Sequence, residues 1–304
     1  MIPGFLLGKA KRIDSGAMTS FGNLLSDVAM PSLVLAKLIE TDIFSLDPIA
    51  MILCMVIPAV VIFALYFIST ALFRPKGEGR DHSAARFCAT FSNCGFLGIP
   101  LAAALFPEAP EVTVYVSLAN VTSTFLLLTL GMSILEEGSG KKCRGFARAI
   151  FRPVTFAVMI GFACSALNIG THVPKLLSYF STLSQLTTPL SMVTLGFELS
   201  KMKVKELTCD VRVYTVAALK LVLSPLIALA ILLVLKNVFF VDMSLHLSSA
   251  MLIVTAVSTA ASASAMAKKS GIDGSLAAAA TLVNTLLCVV SLPVLWLLFD
   301  AVLV

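Results

Sequence analysis

The densest chemistry in this chain lies in the stretch Phe91-Ser-Asn93-Cys94-Gly95-Phe-Leu-Gly98-Ile-Pro100. Two glycines and a proline so close together are poor helix material. Asn93, set among apolar neighbours, must find a partner or water. A helix broken here frees backbone amides, and the amino end of the next half-helix carries a partial positive charge. Asn93, Cys94, Gly95, Gly98 and Pro100 are therefore candidates for holding an anionic group. The competing reading is a kink at which small residues let two helices approach closely.

A second stretch lies about 160 residues later, at an offset that suggests an internal duplication. It reads Val257-Ser258-Thr259-Ala-Ala-Ser262-Ala-Ser264-Ala-Met266 and contains neither Pro nor Gly. The hydroxyls of Ser258, Thr259 and Ser262 can rebond carbonyls freed by a break. An unbroken small-residue helix fits the same residues. Asn120 and Asn284 stand in the apolar segments after the two stretches. They suit either the lining of a site or hydrogen bonds between helices.

Other polar groups interrupt apolar segments. Pro31 and Pro189 occupy matching places in the two halves and should kink their helices, stripping the carbonyls of Asp27 and Gln185 of their helical bonds. Asp27 sits roughly 13 Å into its segment at 1.5 Å per residue, and an acid at that depth is a candidate proton carrier; a local bond at the kink is the alternative. Glu40 and Glu198 fall at helix ends and read as solvated. Lys220 lies inside an apolar segment and reads as snorkelling toward the cytoplasm, with a substrate-anion role as the lesser reading. His82, His172 and His246 are scattered, no metal-ligand spacing is present, and no cofactor motif or catalytic set emerges. Gly95-x-x-Gly98 lacks the lysine and hydroxyl of a phosphate-binding loop.

The elements that position these residues must be membrane helices. The chain is 58% hydrophobic and 13% charged, with a mean hydropathy of +0.98, and soluble domains carry about twice that charge. Apolar runs of bilayer-spanning length recur near 18–38, 49–73, 86–105, 112–135, 152–168, 178–200, 213–235, 247–267 and 275–299. Met1–Gly8 reads as the tail of a truncated first helix, because its positive charge (Lys9, Lys11, Arg12) comes after the apolar residues instead of before them.

Most of the 22 Lys and Arg residues gather in alternate loops: Lys9–Arg12, Arg74–Arg86, Lys141–Arg152, Lys201–Arg212 and Lys268-Lys269. By the positive-inside rule that side is cytoplasmic. Both termini then lie outside, which requires an even number of helices, ten, with five in each half. An odd number per half inverts the second half relative to the first. The expected organisation is thus 1–140 as a first five-helix repeat and 141–304 as a second, inverted one. The basic residues, interleaved with apolar segments, give no reason to invoke nucleic acid. None of the seven cysteines falls in an outward loop, so no disulfide framework is expected.

Asn93-Cys-Gly95-Phe-Leu-Gly98-Ile-Pro100-Leu, with a Phe-Pro-Glu turn after it, resembles the fourth-span motif of the auxin efflux carrier family. Pro189-Leu-Ser-Met-Val-Thr-Leu-Gly196-Phe-Glu-Leu similarly resembles that family's seventh span. The resemblance covers nearly the whole chain, and bacterial members of the family are often described as malonate or malate permeases. It implies an all-α fold of ten helices in two inverted repeats, with a crossover of broken helices 4 and 9. It also implies a dimerising scaffold, an elevator-like carrier, and a carboxylate held at Asn93 and Pro100. Two departures stand out: the second stretch lacks the crossover proline, and the first helix is short.

The function these residues favour is secondary active transport of a small organic anion, a mono- or dicarboxylate such as malonate, malate or an auxin-like acid. The expected setting is the cytoplasmic membrane, with a proton or sodium as coupling ion and a homodimeric assembly. A passive channel or a membrane ligand sensor on the same scaffold is the alternative, and an enzyme is not expected.

Overall fold

The computed structural model describes residues 2–40, 46–74, 81–137, 153–167, 174–201, 210–239, 244–272 and 274–303. These residues are helical throughout apart from short connections and one isolated β-bridge. Most of the expected basic loops, His172, and the side chains of Glu40 and Glu198 lie outside the described residues.

We number the helices α1 (Ile2–Lys9), α2 (Ser15–Leu24), α3 (Met30–Glu40), α4 (Pro48–Leu72), α5 (Asp81–Thr90), α6 (Ile99–Leu105), α7 (Pro110–Leu126) and α8 (Met132–Glu136). The second half contributes α9 (Pro153–Ala166), α10 (Pro174–Ser184), α11 (Thr187–Lys201), α12 (Val211–Ala218), α13 (Ser224–Asn237), α14 (Leu245–Ala256), α15 (Ala263–Lys269) and α16 (Ser275–Leu303).

Among the described residues, five continuous stretches are long and apolar enough to cross a membrane: Gly16–Ile39, Pro48–Leu72, Pro110–Glu136, Val211–Asn237 and Ser275–Val302. The 25 residues of α4 span about 38 Å at 1.5 Å per residue, enough for a hydrocarbon core of about 30 Å. Asp47 starts α4 by accepting the Ile49 amide at 2.9 Å, and Pro48 takes the first helical position, where no amide is needed. One face of α4 (Cys54, Ile57, Val61, Leu65) is buried in the bundle, whereas Ile52 and Phe67 on the other are more than 60% exposed. Helices apolar on both faces suit a bilayer and not water.

Single π-helical turns occur within the helical segments at Leu25–Ala29, Cys94–Gly98, Leu127–Gly131 and Leu219–Leu223. Each wider turn rotates the helix beyond it and redirects side chains that a regular helix would point elsewhere. Pro31 comes just after the first of these turns, so its missing amide is absorbed by a widened turn. Pro189 instead stands in the first turn of α11, just after the chain leaves the helix at 185–186.

Close packing fixes the remainder. Helix α1 lies along α11, and α9 and α10 lie along α3. Gly4 and Gly161 leave no room for a Cβ, against the Val193 backbone and the Leu38 side chain respectively. At Gly131 an added Cβ would stand 2.8 Å from the Phe87 ring and 2.9 Å from that of Phe91, two rings already packed 5.1 Å apart. Gly131→Ala is expected to cost about 1–3 kcal/mol through overpacking, read as a lower thermal midpoint of the purified protein.

Two polar contacts anchor the ends of the bundle. Arg86, expected among the loop cations, is instead buried in α5. Its guanidinium donates to Glu137 at 2.5 Å and lies over the Tyr66 ring. A charge read as solvated thus joins α5 to the end of α8. Arg212 hydrogen-bonds Asp210 and reaches Asp81 at 3.5 Å. The guanidinium beside Asp210 holds its carboxyl below the usual carboxylate range, so this cap is present above the ordinary Asp pKa of about 3.9 and is lost only on further acidification.

Candidate functional site

Two of the apolar segments are not continuous helices. After α5 the chain is extended at 91–93 and resumes as the π turn Cys94–Gly98 and then α6. After α14 it is extended near Val257–Ala260, turns at 261–262 and resumes as α15. The two extended segments pair antiparallel, with Ser92 opposite Thr259. Asn93 donates its amide to the Ser258 carbonyl at 2.7 Å, and Ala260 donates to the Phe91 carbonyl at 3.1 Å.

This pairing explains how the second stretch breaks without Pro or Gly. The groups it frees are taken up by the first break, so the break at 257–262 is a tertiary event. Side chains complete the junction. Asn284 on α16 donates through Nδ2 to Thr259 Oγ1 at 2.5 Å, and Thr259 Oγ1 donates to the Cys88 carbonyl at 3.0 Å. Cys288 Sγ, one turn after Asn284, donates to the Ala256 carbonyl at 3.5 Å. These bonds satisfy backbone groups that would otherwise be costly away from water.

In front of the junction lies a cavity of about 110 Å³. Ser92, Asn93, Gly95 and Phe96 form one wall, Asn120, Val121, Thr124 and Leu127 a second, and Ala260, Ala261 and Ser262 a third. Met30 and Pro153 close it from the side of α3 and α9. No charged side chain lies on these walls among the described residues.

Asn93 is 3% exposed, and its Nδ2 has no hydrogen-bond partner among the described residues. It precedes the Cys94–Gly98 turn without capping it through its side chain. The first amides of that turn, at Cys94, Gly95 and Phe96, have no acceptor within their own helix. The wall thus holds Asn93, whose Nδ2 is unpartnered, at the start of a turn whose first amides lack an acceptor within their own helix, which suits an anionic or carbonyl oxygen. Gly95 leaves room for a close approach: a Cβ there would stand 3.2 Å from Asn120 Oδ1, tight enough that the Asn120 side chain would have to give.

Of the sequence candidates, the structure brings Asn93, Gly95, Asn120 and Ser262 together on the cavity. Cys94, Gly98, Pro100, Ser258, Thr259 and Asn284 are not on its wall. Cys94 turns its thiol toward the Val116 carbonyl at 3.7 Å. The Gly98 amide is not free, since it donates to the Asn93 carbonyl at 3.2 Å. Pro100 is buried at the start of α6, which its fixed geometry favours. Thr259 and Asn284 act as struts of the junction, and Ser258 is fully buried behind it. Asp27 lies exposed in the Leu25–Ala29 turn, away from the cavity wall.

Sequence reasoning missed Ser92, Phe96 and Thr124; the last stands one turn beyond Asn120, a spacing that places both on one helix face. It also misplaced Lys220, which does not snorkel: it is 1% exposed, in the Leu219–Leu223 turn.

Apolar helices covered by lipid-suited surfaces, with two interrupted helices meeting at a small polar-edged cavity, define a multi-pass membrane protein. The chain belongs to the membrane transport protein family, the auxin efflux carrier family, whose model matches residues 1–144 and 145–296. It is 26% identical over 302 residues to an uncharacterized transporter of Methanothermobacter thermautotrophicus, a match covering 96% of this chain and 92% of that protein. It is also 24% identical over 173 residues to the lysosomal cholesterol signaling protein of Mus musculus, covering 53% of this chain and 20% of that protein.

Proposed function

We propose that this membrane transport protein is a secondary active transporter of a small organic anion, a mono- or dicarboxylate, working by alternating access around the paired breaks. The observation that carries this reading is Asn93, a wall residue whose Nδ2 is buried and unpartnered among the described residues, at the start of the Cys94–Gly98 turn, whose first amides have no acceptor within their own helix. A carboxylate there would accept from both. Asn120 and Ser262 would orient the remainder of the solute, with Gly95 allowing its approach.

In this reading the chain forms ten spans in two inverted sets, 1–140 and 141–304, with α5–α6 as the fourth and α14–α15 as the ninth. Both termini lie outside the cytoplasmic membrane. Helices α1–α3 and α9–α11 form the scaffold of a homodimer, against which the remaining helices move. A proton or sodium drives transport.

The test is uptake of labelled malonate, malate and phenylacetate into proteoliposomes, with and without an imposed pH gradient. Saturable flux with counterflow is expected for at least one acid; non-saturating flux would indicate a channel. The partial likeness to a cholesterol signaling protein favours a sensor as the second reading, and binding without flux would support it. Proton coupling through Asp27 makes a separate prediction. Asp27→Asn should flatten the pH dependence of uptake, and an unchanged profile would remove Asp27 from that role.

A further inference from the structure

The walls of the cavity are held in two different ways. Between 92–93 and 260–262 the closure is made by the backbone bonds of the junction, Asn93 to the Ser258 carbonyl at 2.7 Å and Ala260 to the Phe91 carbonyl at 3.1 Å. Parting these walls would leave buried donors and acceptors unsatisfied. On the side of α3 the closure is apolar. Met30, a wall residue, belongs to a buried cluster with Leu25 and Ala29. Phe96, from the wall of the first break, packs against that cluster, as does Leu190 of α11. Apolar contact is non-directional, so this seam can part and close again without orphaning a hydrogen bond.

Both sides of the seam are built from widened turns. Leu25 and Ala29 are the ends of one π turn, and Phe96 is the middle of another. Such turns recur at functional sites because they redirect side chains that a regular helix would point elsewhere. The turn at Leu25–Ala29 packs among α3, α9, α10 and α11, whereas the turn at Cys94–Gly98 packs among α6, α7 and α14. The Phe96 ring therefore reaches from one group of helices onto the other, beside the cavity, and is itself only half-buried.

We propose that Phe96 is a gate of the cavity: its ring, seated on the cluster of Leu25, Ala29 and Met30, closes one route to the site and leaves that seat in each transport cycle. The inference rests on the transport reading above. Asn93 and Phe96 line the same cavity, so a solute held at Asn93 lies beside the ring that must move to release it. The junction bonds stay made throughout, and the apolar seam is what opens.

The test links the seam shut. Met30→Cys/Phe96→Cys, with Leu190→Cys/Phe96→Cys as a second pair, is treated with a short bis-methanethiosulfonate and afterwards with reductant. Each untreated variant is its own reference, and the parent protein and the single-cysteine variants receive the same treatment. Two quantities are read: initial uptake of labelled phenylacetate, malonate and malate into proteoliposomes, and equilibrium binding of the same acids to the solubilised protein. Linking is expected to lower uptake by about tenfold or more, reversibly on reduction, while the Kd stays within about threefold, because a fixed gate stops passage and leaves the site in place. Neither pair linking would mean that Phe96 does not meet the cluster and would overturn the inference. Loss of binding together with uptake would mean that the link fills the site, and would overturn it as well. Wild-type protein that carries none of the acids would overturn the transport reading itself, and the inference with it. A wild type that carries an acid beside a linked pair that carries it equally well would sink the inference alone.

Discussion

Asn93→Ala should lower kcat/KM for carboxylate uptake by about 100-fold while leaving the protein folded. A hydrogen bond to a charged group contributes about 1.5–3 kcal/mol, or roughly 10- to 150-fold. The upper part of that range applies because Nδ2 is buried and has no other partner among the described residues to reclaim it. The backbone amide of residue 93, which pairs with the Ser258 carbonyl at 2.7 Å, survives the substitution, so the junction should remain intact. The measurement is initial uptake rate against acid concentration, beside a thermal melt of the same preparation. A loss of flux accompanied by an unchanged melting midpoint places the effect in binding. A lowered midpoint would mean that Asn93 serves the fold instead.

The opposite signature is expected of Thr259→Val. The change is nearly isosteric, but it deprives the Cys88 carbonyl of its donor and Asn284 Nδ2 of its acceptor. Each buried group left unsatisfied costs about 1–3 kcal/mol, and two are orphaned at once. A destabilisation of about 2–6 kcal/mol is therefore expected. The sole tryptophan, Trp296, lies on α16 with Asn284 and offers a fluorescence readout of unfolding. Asn284→Leu should cost less in the Thr259→Val background than alone, because the two side chains share a bond. Additive losses in that cycle would mean that the strut is not a unit.

Asn93 and Thr259 show where the fold was legible in the chain. The break at 91–100 is written locally, in two glycines, a proline and an asparagine, and it was readable as a break. The break at 257–262 has no such residues. Its extended backbone is supported by hydrogen bonds from the strand-like segment around Ser92 and from α16, which no local pattern displays. For the same reason the hydroxyls of Ser258 and Thr259 were legible as chemistry but not as to which side of the junction they face.

The apolar segments themselves were readable from composition, because hydrocarbon thickness imposes length. Side-chain direction inside them was harder to read. A π turn shifts the helical face by part of a turn, and Lys220, read from its depth in an apolar segment as a snorkelling cation, lies in such a turn and is buried. Arg86 misled in the same way, since its partner Glu137 lies far along the chain and only the fold brings the two together. The cavity's third wall, Ala260–Ser262, exists only because the second stretch breaks.

A small organic anion is expected to occupy the cavity in front of the paired breaks. Ser262 lies exposed on its wall, whereas Cys54, Cys88, Cys94 and Cys288 are buried. The most direct measurement is the alkylation rate of Ser262→Cys by a small maleimide, with and without malonate, malate and phenylacetate, against the parent protein as background. An acid that is transported should slow labelling at 262 in a saturable way, with a midpoint matching its KM, and the protection should vanish when Asn93→Ala is added. Labelling at 262 that proceeds at one rate whatever acid is present, for an acid the protein demonstrably carries, would place the substrate elsewhere and contradict a site at the paired breaks.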